Sequence, residues 1–273
     1  MKVLVIGKDG QLGSELVRLF PSAMGTSRKD PGDAYLNLKD PGMIVRTISE
    51  YNPDVVINTA AQTNVDRCEE DKLDAYSVNA IAIRNMAKAC SITGSYFIHV
   101  STDYVFDGRN GNYSEEDVPN PINYYGISKI IGEAYAISYD NSLVIRTSGV
   151  YGVKMNFPLF VVKTLREGGT VNCIDSYYSP IHATMLAEAI KEVIVKSPDG
   201  ILNISGRRIS RYEFAFRIKD TLNIDTGTID LSRSVPNIKA RRPYDSSLDN
   251  ERARSLLSTR FDDLNKSIEY LTR

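Results

Sequence analysis

The sequence has no tryptophan, two histidines and three cysteines among its 273 residues. Because there are only two imidazoles, a histidine-rich metal site is excluded, and we expect no bound metal ion. His99 lies in an apolar run and is expected to be packed, whereas His182 is expected to cap a helix. The odd, widely spaced cysteines (Cys68, Cys90 and Cys173) argue against a disulfide scaffold and favour a reducing, cytoplasmic location.

Long hydrophobic runs and an excess of one charge are also missing. The apolar runs fall far short of the about 20 residues that a membrane-spanning helix needs, so no membrane partner is expected. The apolar start of the chain is too short for a signal peptide. The 33 basic and 34 acidic residues leave a net charge of -1, so no nucleic-acid partner is expected.

The first half of the chain alternates short apolar runs with longer amphipathic segments. Strands are predicted at residues 3–7, 54–58, 96–101 and 142–146, with weaker ones at 23–26 and 35–36. Helices are predicted at residues 11–20, 72–90 and 124–139. Buried-type strands that alternate with helices indicate an α/β fold with a doubly wound parallel sheet of the Rossmann type.

The second half of the chain is less regular. Helices are predicted at residues 156–167, 182–196, 211–222 and 264–271, and a strand at 200–204. We interpret residues 1–150 as a dinucleotide-binding domain, to which a segment near 182–204 returns. Residues 151–273 then form mainly a smaller substrate-binding lobe at the carboxyl edge of the sheet.

A glycine-rich turn follows the first predicted strand and opens the first helix. It reads Gly7-Lys-Asp-Gly10-Gln-Leu-Gly13. Glycine permits the tight turn and the close approach of a pyrophosphate, and the helix amino end supplies N–H groups and a positive dipole. The turn therefore predicts dinucleotide binding, with Gln11 and Leu12 at the same site.

The end of the second strand decides between the two nicotinamide dinucleotides. An acidic residue at this place binds the ribose 2′-hydroxyl of NAD, whereas arginine accommodates the 2′-phosphate of NADP. The sequence has Ser27 and Arg28 here and no carboxylate before Asp30. These two residues therefore predict that NADP(H) is preferred, with NAD(H) as the alternative.

Tyr125 and Lys129 lie four residues apart at the start of a predicted helix, and so on one face. A neighbouring ammonium stabilises a phenolate and lowers the pKa of the phenol from about 10, which suits acid–base catalysis. Thr102 follows a predicted strand and supplies a hydroxyl that stabilises developing oxyanion charge. Ala60 and Ala61 supply small residues where a cofactor ribose passes. Asn79 is a further candidate for the cofactor site.

Together these motifs resemble the extended short-chain dehydrogenase/reductases. The segment Ser101-Thr-Asp-Tyr-Val-Phe-Asp-Gly108 is similar to the strand-end motif of the dTDP-4-dehydrorhamnose reductase family. Further similarities to that family lie at residues 123–129, 146–148, 150–152, 156–157 and 240–243, so that the resemblance covers nearly the whole chain.

The resemblance implies hydride transfer from a nicotinamide to the C4 ketone of a nucleotide-linked 6-deoxysugar. Tyr125 would protonate the forming alkoxide, Lys129 would bind the nicotinamide ribose, and Thr102 would orient the carbonyl. The resemblance leaves open whether the protein forms a homodimer. The residues that the resemblance assigns to the substrate are Ser101, Asp103, Tyr104, Asn156 and Arg242.

Departures from the family and alternatives remain. Relatives often carry tryptophan where this chain has Gly149, so the identity of the hexose is left open. A sugar 4,6-dehydratase needs a second carboxylate, and this chain has Tyr104 at that position. A nucleotide-sugar epimerase stays open, as does a non-catalytic subunit like the regulatory subunit of methionine adenosyltransferase.

Overall fold

A parallel sheet of seven strands forms the centre of the protein, for which a computed structural model describes residues 1–29, 34–232 and 239–272. The strands are β1 Val3–Ile6, β2 Met24–Ser27, β3 Ala34–Tyr35, β4 Val55–Asn58, β5 Tyr96–Val100, β6 Ser142–Arg146, β7 Val150–Tyr151, β8 Thr170–Ile174, β9 Tyr177–Tyr178, β10 Ile181–His182, β11 Gly200–Asn203, β12 Ile209–Ser210 and β13 Thr228–Ser232. The central sheet has the order β11-β6-β5-β4-β1-β2-β3. Apart from β11, this is the strand order of a dinucleotide-binding fold.

Helices cover the sheet and build the rest of the chain. They are α1 Gln11–Leu19, α2 Pro41–Tyr51, α3 Val65–Glu70, α4 Lys72–Tyr76, α5 Ala82–Thr93, α6 Tyr124–Ile137, α7 Phe157–Arg166, α8 Ala183–Lys196, α9 Arg211–Thr221, α10 Glu251–Leu256 and α11 Leu264–Glu269. A π-helical turn, Ser77–Ile81, joins α4 to α5, and Asp103–Val105 and Tyr270–Thr272 are 3₁₀ turns. None of these described helices is long and apolar enough to cross a bilayer.

Alternate residues of each central strand face opposite sides of the sheet, which has a hydrophobic core on each side. Val3 and Val5 pack with Leu16 of α1 and Ile190 of α8. On the other side, Leu4 and Ile6 pack with Ile44 of α2, in a core that also holds Met86 of α5. Because both faces are buried, the strands read as uninterrupted apolar runs. The predicted α/β class and doubly wound parallel sheet are confirmed.

A third hydrophobic core lies outside the sheet. It is built from α7, α9 and the parallel pair β8 and β13, with Val161, Phe214 and Ile229 among its buried residues. The strand β11 returns to the central sheet and pairs with β6, in agreement with the strand predicted at 200–204. The domain division at residue 150 stays a prediction.

Helix α2 was not predicted, although its start carries recognisable signals. Pro41-Gly42 resembles a turn, but proline is tolerated at the first helical position. The side chain of Asp40 accepts a hydrogen bond from the Met43 N–H at 2.9 Å and caps the helix. The short helices α3 and α10 and several two-residue strands were also missed, because segments this short carry little periodicity.

A buried ion pair joins helix α6 to strand β6. Arg146 Nη2 lies 2.8 Å from Glu133 Oε2, and both side chains are 2% exposed. The Ser101 hydroxyl donates to Glu133 Oε1 at 2.5 Å, which connects the pair to the end of β5. The guanidinium also lies over the Phe106 ring, 5.1 Å from its centroid.

Removing one partner of this pair is expected to leave a buried, uncompensated charge. Glu133→Ala should lower the free energy of unfolding by about 3–5 kcal/mol, measured by urea denaturation. The control is Lys163→Ala, which removes an exposed pair with Glu167 and should cost less than about 0.5 kcal/mol. Equal losses in the two variants would contradict the assigned role of the buried pair.

Candidate active site

A cavity of about 800 Å³ lies at the carboxyl ends of the central strands. Its wall includes residues that follow β1, β4 and β5, which is where open α/β sheets bind ligands. The predicted site residues in this wall are Gly7, Gly10, Gln11, Leu12, Ser27, Arg28, Ala60, Ala61, Ser101, Thr102, Asp103, Tyr104, Tyr125 and Lys129. The glycine turn and the tyrosine–lysine pair therefore share one cavity.

The glycine turn is packed so closely that side chains are excluded. Gly7 has a φ of +92°, and a Cβ there would lie 2.9 Å from Ala60 Cβ. A Cβ on Gly13 would lie 2.1 Å from the Gly7 carbonyl oxygen, so this residue supports the turn from outside the cavity wall. Gly10 is the N-cap of α1, and no side chain caps the helix there. This bare helix start fits a pyrophosphate.

An acidic residue that was not predicted lies beside the end of β2. The Ser27 hydroxyl donates to the Asp9 carboxylate and accepts a hydrogen bond from the Lys29 N–H at 2.9 Å. Arg28 and Lys29 both line the cavity. Asp30, the first carboxylate after this strand in the sequence, lies outside the described residues. Asp9 belongs to the glycine turn, so its approach to β2 depends on the fold and has no signal in the local sequence.

Tyr125 and Thr102 lie together in the cavity wall. The Thr102 hydroxyl interacts with the phenol of Tyr125 and lowers its pKa, but burial has the larger effect and raises that pKa. Thr102 Oγ1 donates to Asp103 Oδ1 at 3.0 Å and accepts from the Tyr104 N–H at 3.2 Å.

Lys129 does not act on the phenol as predicted. Its Nζ donates to the Val100 carbonyl oxygen at 2.7 Å and lies 3.3 Å from His99 Nε2. Burial lowers the pKa of Lys129 to about 8. The predicted lowering of the pKa of Tyr125 is therefore wrong for this state of the protein, in which burial raises that pKa and the Lys129 side chain faces β5.

Asp103 belongs to the cavity wall, but its side chain is almost fully buried. Its Oδ2 accepts hydrogen bonds from Ser148 at 2.7 Å and from Ser246 at 2.5 Å, while Oδ1 accepts from Thr102. The side chain is 3% exposed, and burial raises its pKa despite these donors. In this arrangement Asp103 anchors Thr102.

Three other predicted residues have partners within the protein. The Ser101 hydroxyl is bonded to Glu133. Asn79 lies outside the cavity wall and bonds to Gln62 and Ser128, at 2.8–3.1 Å. Asn156 also lies outside the wall, where its side chain caps α7 and bonds to the carbonyls of residues 152 and 154. Their predicted contacts with ligands stay predictions.

Arg242 lies in a neighbouring cavity of about 210 Å³. Its Nη2 is 2.8 Å from Asp66 Oδ2, and the side chain is 23% exposed. Tyr104, Tyr178 and Arg211 line both this cavity and the large one. A ligand that reaches from one cavity into the other would therefore pass these three side chains.

Arg211 and Tyr178 are site residues that the sequence did not reveal. Arg211 acts to lower the pKa of Tyr104, which burial raises, and its guanidinium lies 4.4 Å from the centroid of the Tyr178 ring. Gly149 has a φ of +50°, and a Cβ there would lie 2.6 Å from the Tyr178 ring. Tyr178 therefore packs against Gly149, the position at which relatives often carry tryptophan. No local sequence pattern indicates that contact.

Comparisons with known proteins identify the family of this chain. The family described as RmlD substrate binding domain matches residues 1–272. The chain belongs to this family. The predicted resemblance to dTDP-4-dehydrorhamnose reductases, and with it an oxidoreductase of that type, is confirmed at the level of the family.

Individual relatives span most of the chain. The spore coat polysaccharide biosynthesis protein SpsK of Bacillus subtilis is 34% identical over 251 residues, covering 89% of this chain and 87% of SpsK. The dTDP-4-dehydrorhamnose reductase of Salmonella typhimurium is 34% identical over 200 residues, covering 71% and 67%. Subunit beta of methionine adenosyltransferase 2 from Bos taurus is 28% identical, covering 93% and 82%.

Two solved structures are similar along their whole length. A hypothetical dTDP-4-dehydrorhamnose reductase from Sulfolobus tokodaii has 47% identity and a TM-score of 0.93, covering 97% of this chain and 98% of that one. A Bacillus anthracis dTDP-4-dehydrorhamnose reductase in complex with NADP has 28% identity and a TM-score of 0.91, covering 99% and 98%. The nucleotide-sugar epimerase and dehydratase structures at 19–20% identity share the fold alone.

Proposed function

We propose that the protein reduces the C4 ketone of a nucleotide-linked 6-deoxysugar, converting dTDP-4-dehydro-L-rhamnose to dTDP-L-rhamnose with NADP(H) as the preferred cofactor. The observation that carries this proposal is the single cavity shared by the glycine turn and by Thr102, Tyr125 and Lys129. A scaffold protein has no physical need for a phenol, a hydroxyl and an amine around a dinucleotide cavity.

When bound, the nicotinamide supplies the hydride. Tyr125 donates its phenol proton to the alkoxide oxygen that forms at C4. Because burial raises the pKa of Tyr125, the phenol stays protonated at neutral pH, as a proton donor must be. Lys129, when charged, stabilises the phenolate left behind and holds the ribose.

Thr102 orients the phenol and the sugar carbonyl. In the described state the Thr102 hydroxyl donates a hydrogen bond to Asp103. Burial raises the pKa of Asp103, and a protonated Asp103 would free the Thr102 hydroxyl to donate to the carbonyl oxygen. Arg211 and Arg242 are cations beside the two connected cavities, which suits a nucleotide diphosphate.

The direct test is oxidation of NADPH by the purified protein, followed by absorbance, with dTDP-4-dehydro-6-deoxy-L-mannose. Stoichiometric formation of NADP⁺ and the 4-hydroxy sugar is the expected result. Consumption of the keto sugar without net oxidation of NADPH would indicate an epimerase. Bound cofactor with no turnover would favour the non-catalytic alternative, to which the bovine methionine adenosyltransferase subunit is the relevant relative.

Loss of the phenol is expected to stop proton transfer and leave cofactor binding intact. Tyr125→Phe should lower kcat by about 10²-fold or more while the Kd for NADPH stays unchanged, because only the proton donor is removed. Tyr124→Phe is the matched control, since Tyr124 lies next in the chain and outside the described cavity wall. Similar turnover by both variants would show that Tyr125 is not the acid.

The preference for NADP(H) depends on the balance between Arg28 and Asp9. Arg28→Ala should raise the KM for NADPH about tenfold and leave the KM for NADH within about twofold, since only the 2′-phosphate contact is lost. Asp9→Asn should lower the KM for NADPH by about threefold, because a negative charge near Ser27 is removed. If Asp9→Asn instead weakens NADH binding alone, Asp9 binds a ribose hydroxyl and the proposed preference fails.

A further inference from the structure

Behind Tyr125, three polar side chains from three elements form a buried chain that the proposed mechanism leaves unexplained. Lys129 Nζ on α6 lies 3.3 Å from His99 Nε2 on β5. His99 Nδ1 lies 3.1 Å from Asn58 Nδ2 on β4. Each of the three residues is at most 1% exposed, so their polar atoms must satisfy one another.

The backbone determines which way the Asn58 amide points. Its Oδ1 accepts a hydrogen bond from the Ala60 N–H at 3.2 Å, so its NH₂ group faces the His99 ring. Turning the amide would bring this NH₂ group against a backbone N–H, two donors facing each other. Nδ1 of His99 is therefore the acceptor and carries no proton.

A neutral imidazole has one proton, which in this arrangement lies on Nε2 and points at Lys129 Nζ. An ammonium has no lone pair to accept it, whereas a neutral amine has one. The amine donates in turn to the Val100 carbonyl oxygen at 2.7 Å. The described contacts are thus complete only when Lys129 is uncharged.

We propose that His99 is a positioning residue that couples the charge of Lys129 to which of its own ring nitrogens carries the proton. When Lys129 takes up a proton, Nε2 must become the acceptor. The ring then releases its proton from Nε2 and gains one on Nδ1, remaining neutral. Asn58 must turn its oxygen toward the ring, which breaks its bond to Ala60 in the wall of the cavity.

Of the three hydrogen-bonded side chains, Lys129 is the one that changes its charge in this pH range. Burial lowers the pKa of Lys129 to about 8 and holds the pKa of His99 well below its usual range, so the ring does not become charged near neutral pH. Glu133, one turn further along α6, favours the ammonium, but its carboxylate is already paired with Arg146 of β6 and bonded to Ser101.

The other titratable groups on this side of the cavity act through Tyr125. Cys68 of α3 has a thiol whose pKa burial raises to about 11, so it is neutral in this range. Asp103 and Tyr104, from the 3₁₀ turn after β5, have pKa values that burial raises. Both face the phenol, whose own pKa burial raises. Among the groups of the hydrogen-bonded chain, Lys129 is the one whose pKa burial brings to about 8.

The proton position can be measured directly, because the chain has only two histidines. Protein with ¹⁵N-labelled histidine is titrated by NMR through pH 8, and His182→Gln assigns the two rings. We expect a neutral His99 ring with its proton on Nε2 at high pH and on Nδ1 at low pH. A single tautomer throughout, or a charged ring, would overturn the proposal.

A substitution at Asn58 should hold the His99 ring in one tautomer. In Asn58→Asp a carboxylate accepts from both Nδ1–H and the Ala60 N–H, so Nε2 remains an acceptor as long as the ring is neutral. The tautomer should stop changing with pH, and the basic limb of kcat/KM should move up by about 1 pH unit, since the ammonium is stabilised. Asn85→Asp, a buried control on α5 bonded to Ile81, should leave the wild-type tautomer change in place.

The effect on kcat/KM rests on the proposed function, whereas the ring measurement does not. A protein that oxidises no NADPH but still shows the tautomer change would overturn the proposed reaction and support the role of His99. Normal oxidation of NADPH with a single His99 tautomer throughout would support the proposed reaction and overturn the role of His99. If Asn58→Asp does not fold, the titration of the wild-type protein decides the proposal.

Discussion

The buried ion pair between Glu133 and Arg146 is the constraint on which the geometry of the site depends. Three hydrogen bonds of 2.8–3.2 Å join the two side chains. Such a pair is costly to desolvate and requires good geometry to be tolerated, so it ties α6 to β6 at one place. Lys129 lies one helical turn before Glu133 and Tyr125 one turn before that. Anchoring Glu133 therefore places both groups over the strand ends.

The start of the same helix is held independently. Asn123 caps α6 through the Gly126 N–H at 2.9 Å and bonds to the carbonyl of residue 241. A Cβ on Gly126 would lie 2.1 Å from the Tyr104 carbonyl oxygen, so only glycine permits this approach. The amino end of α6 thus packs against the turn that carries Thr102. The distance between phenol and hydroxyl follows from backbone packing rather than from the two side chains themselves.

Electrostatic reasoning from spacing alone failed where burial dominates. Tyr125 and Lys129 are four residues apart, which predicts that the ammonium lowers the pKa of the phenol. Lys129 is buried and Tyr125 is half-buried, and desolvation opposes the charged form of each. The result is a protonated phenol and an amine that loses its proton near pH 8, a combination that suits a reductase, whose tyrosine must hold a proton to donate.

The sequence alone determined the parallel sheet, the glycine turn and the tyrosine–lysine pair, because these depend on local periodicity and on short-range sterics. Only the tertiary structure decided that Asp9 meets Ser27, that Arg211 packs on Tyr178, and that Lys129 faces His99. Each of these contacts joins residues far apart in the chain, and their energies depend on burial. A local sequence pattern indicates neither which distant residues come into contact nor which side chains are buried.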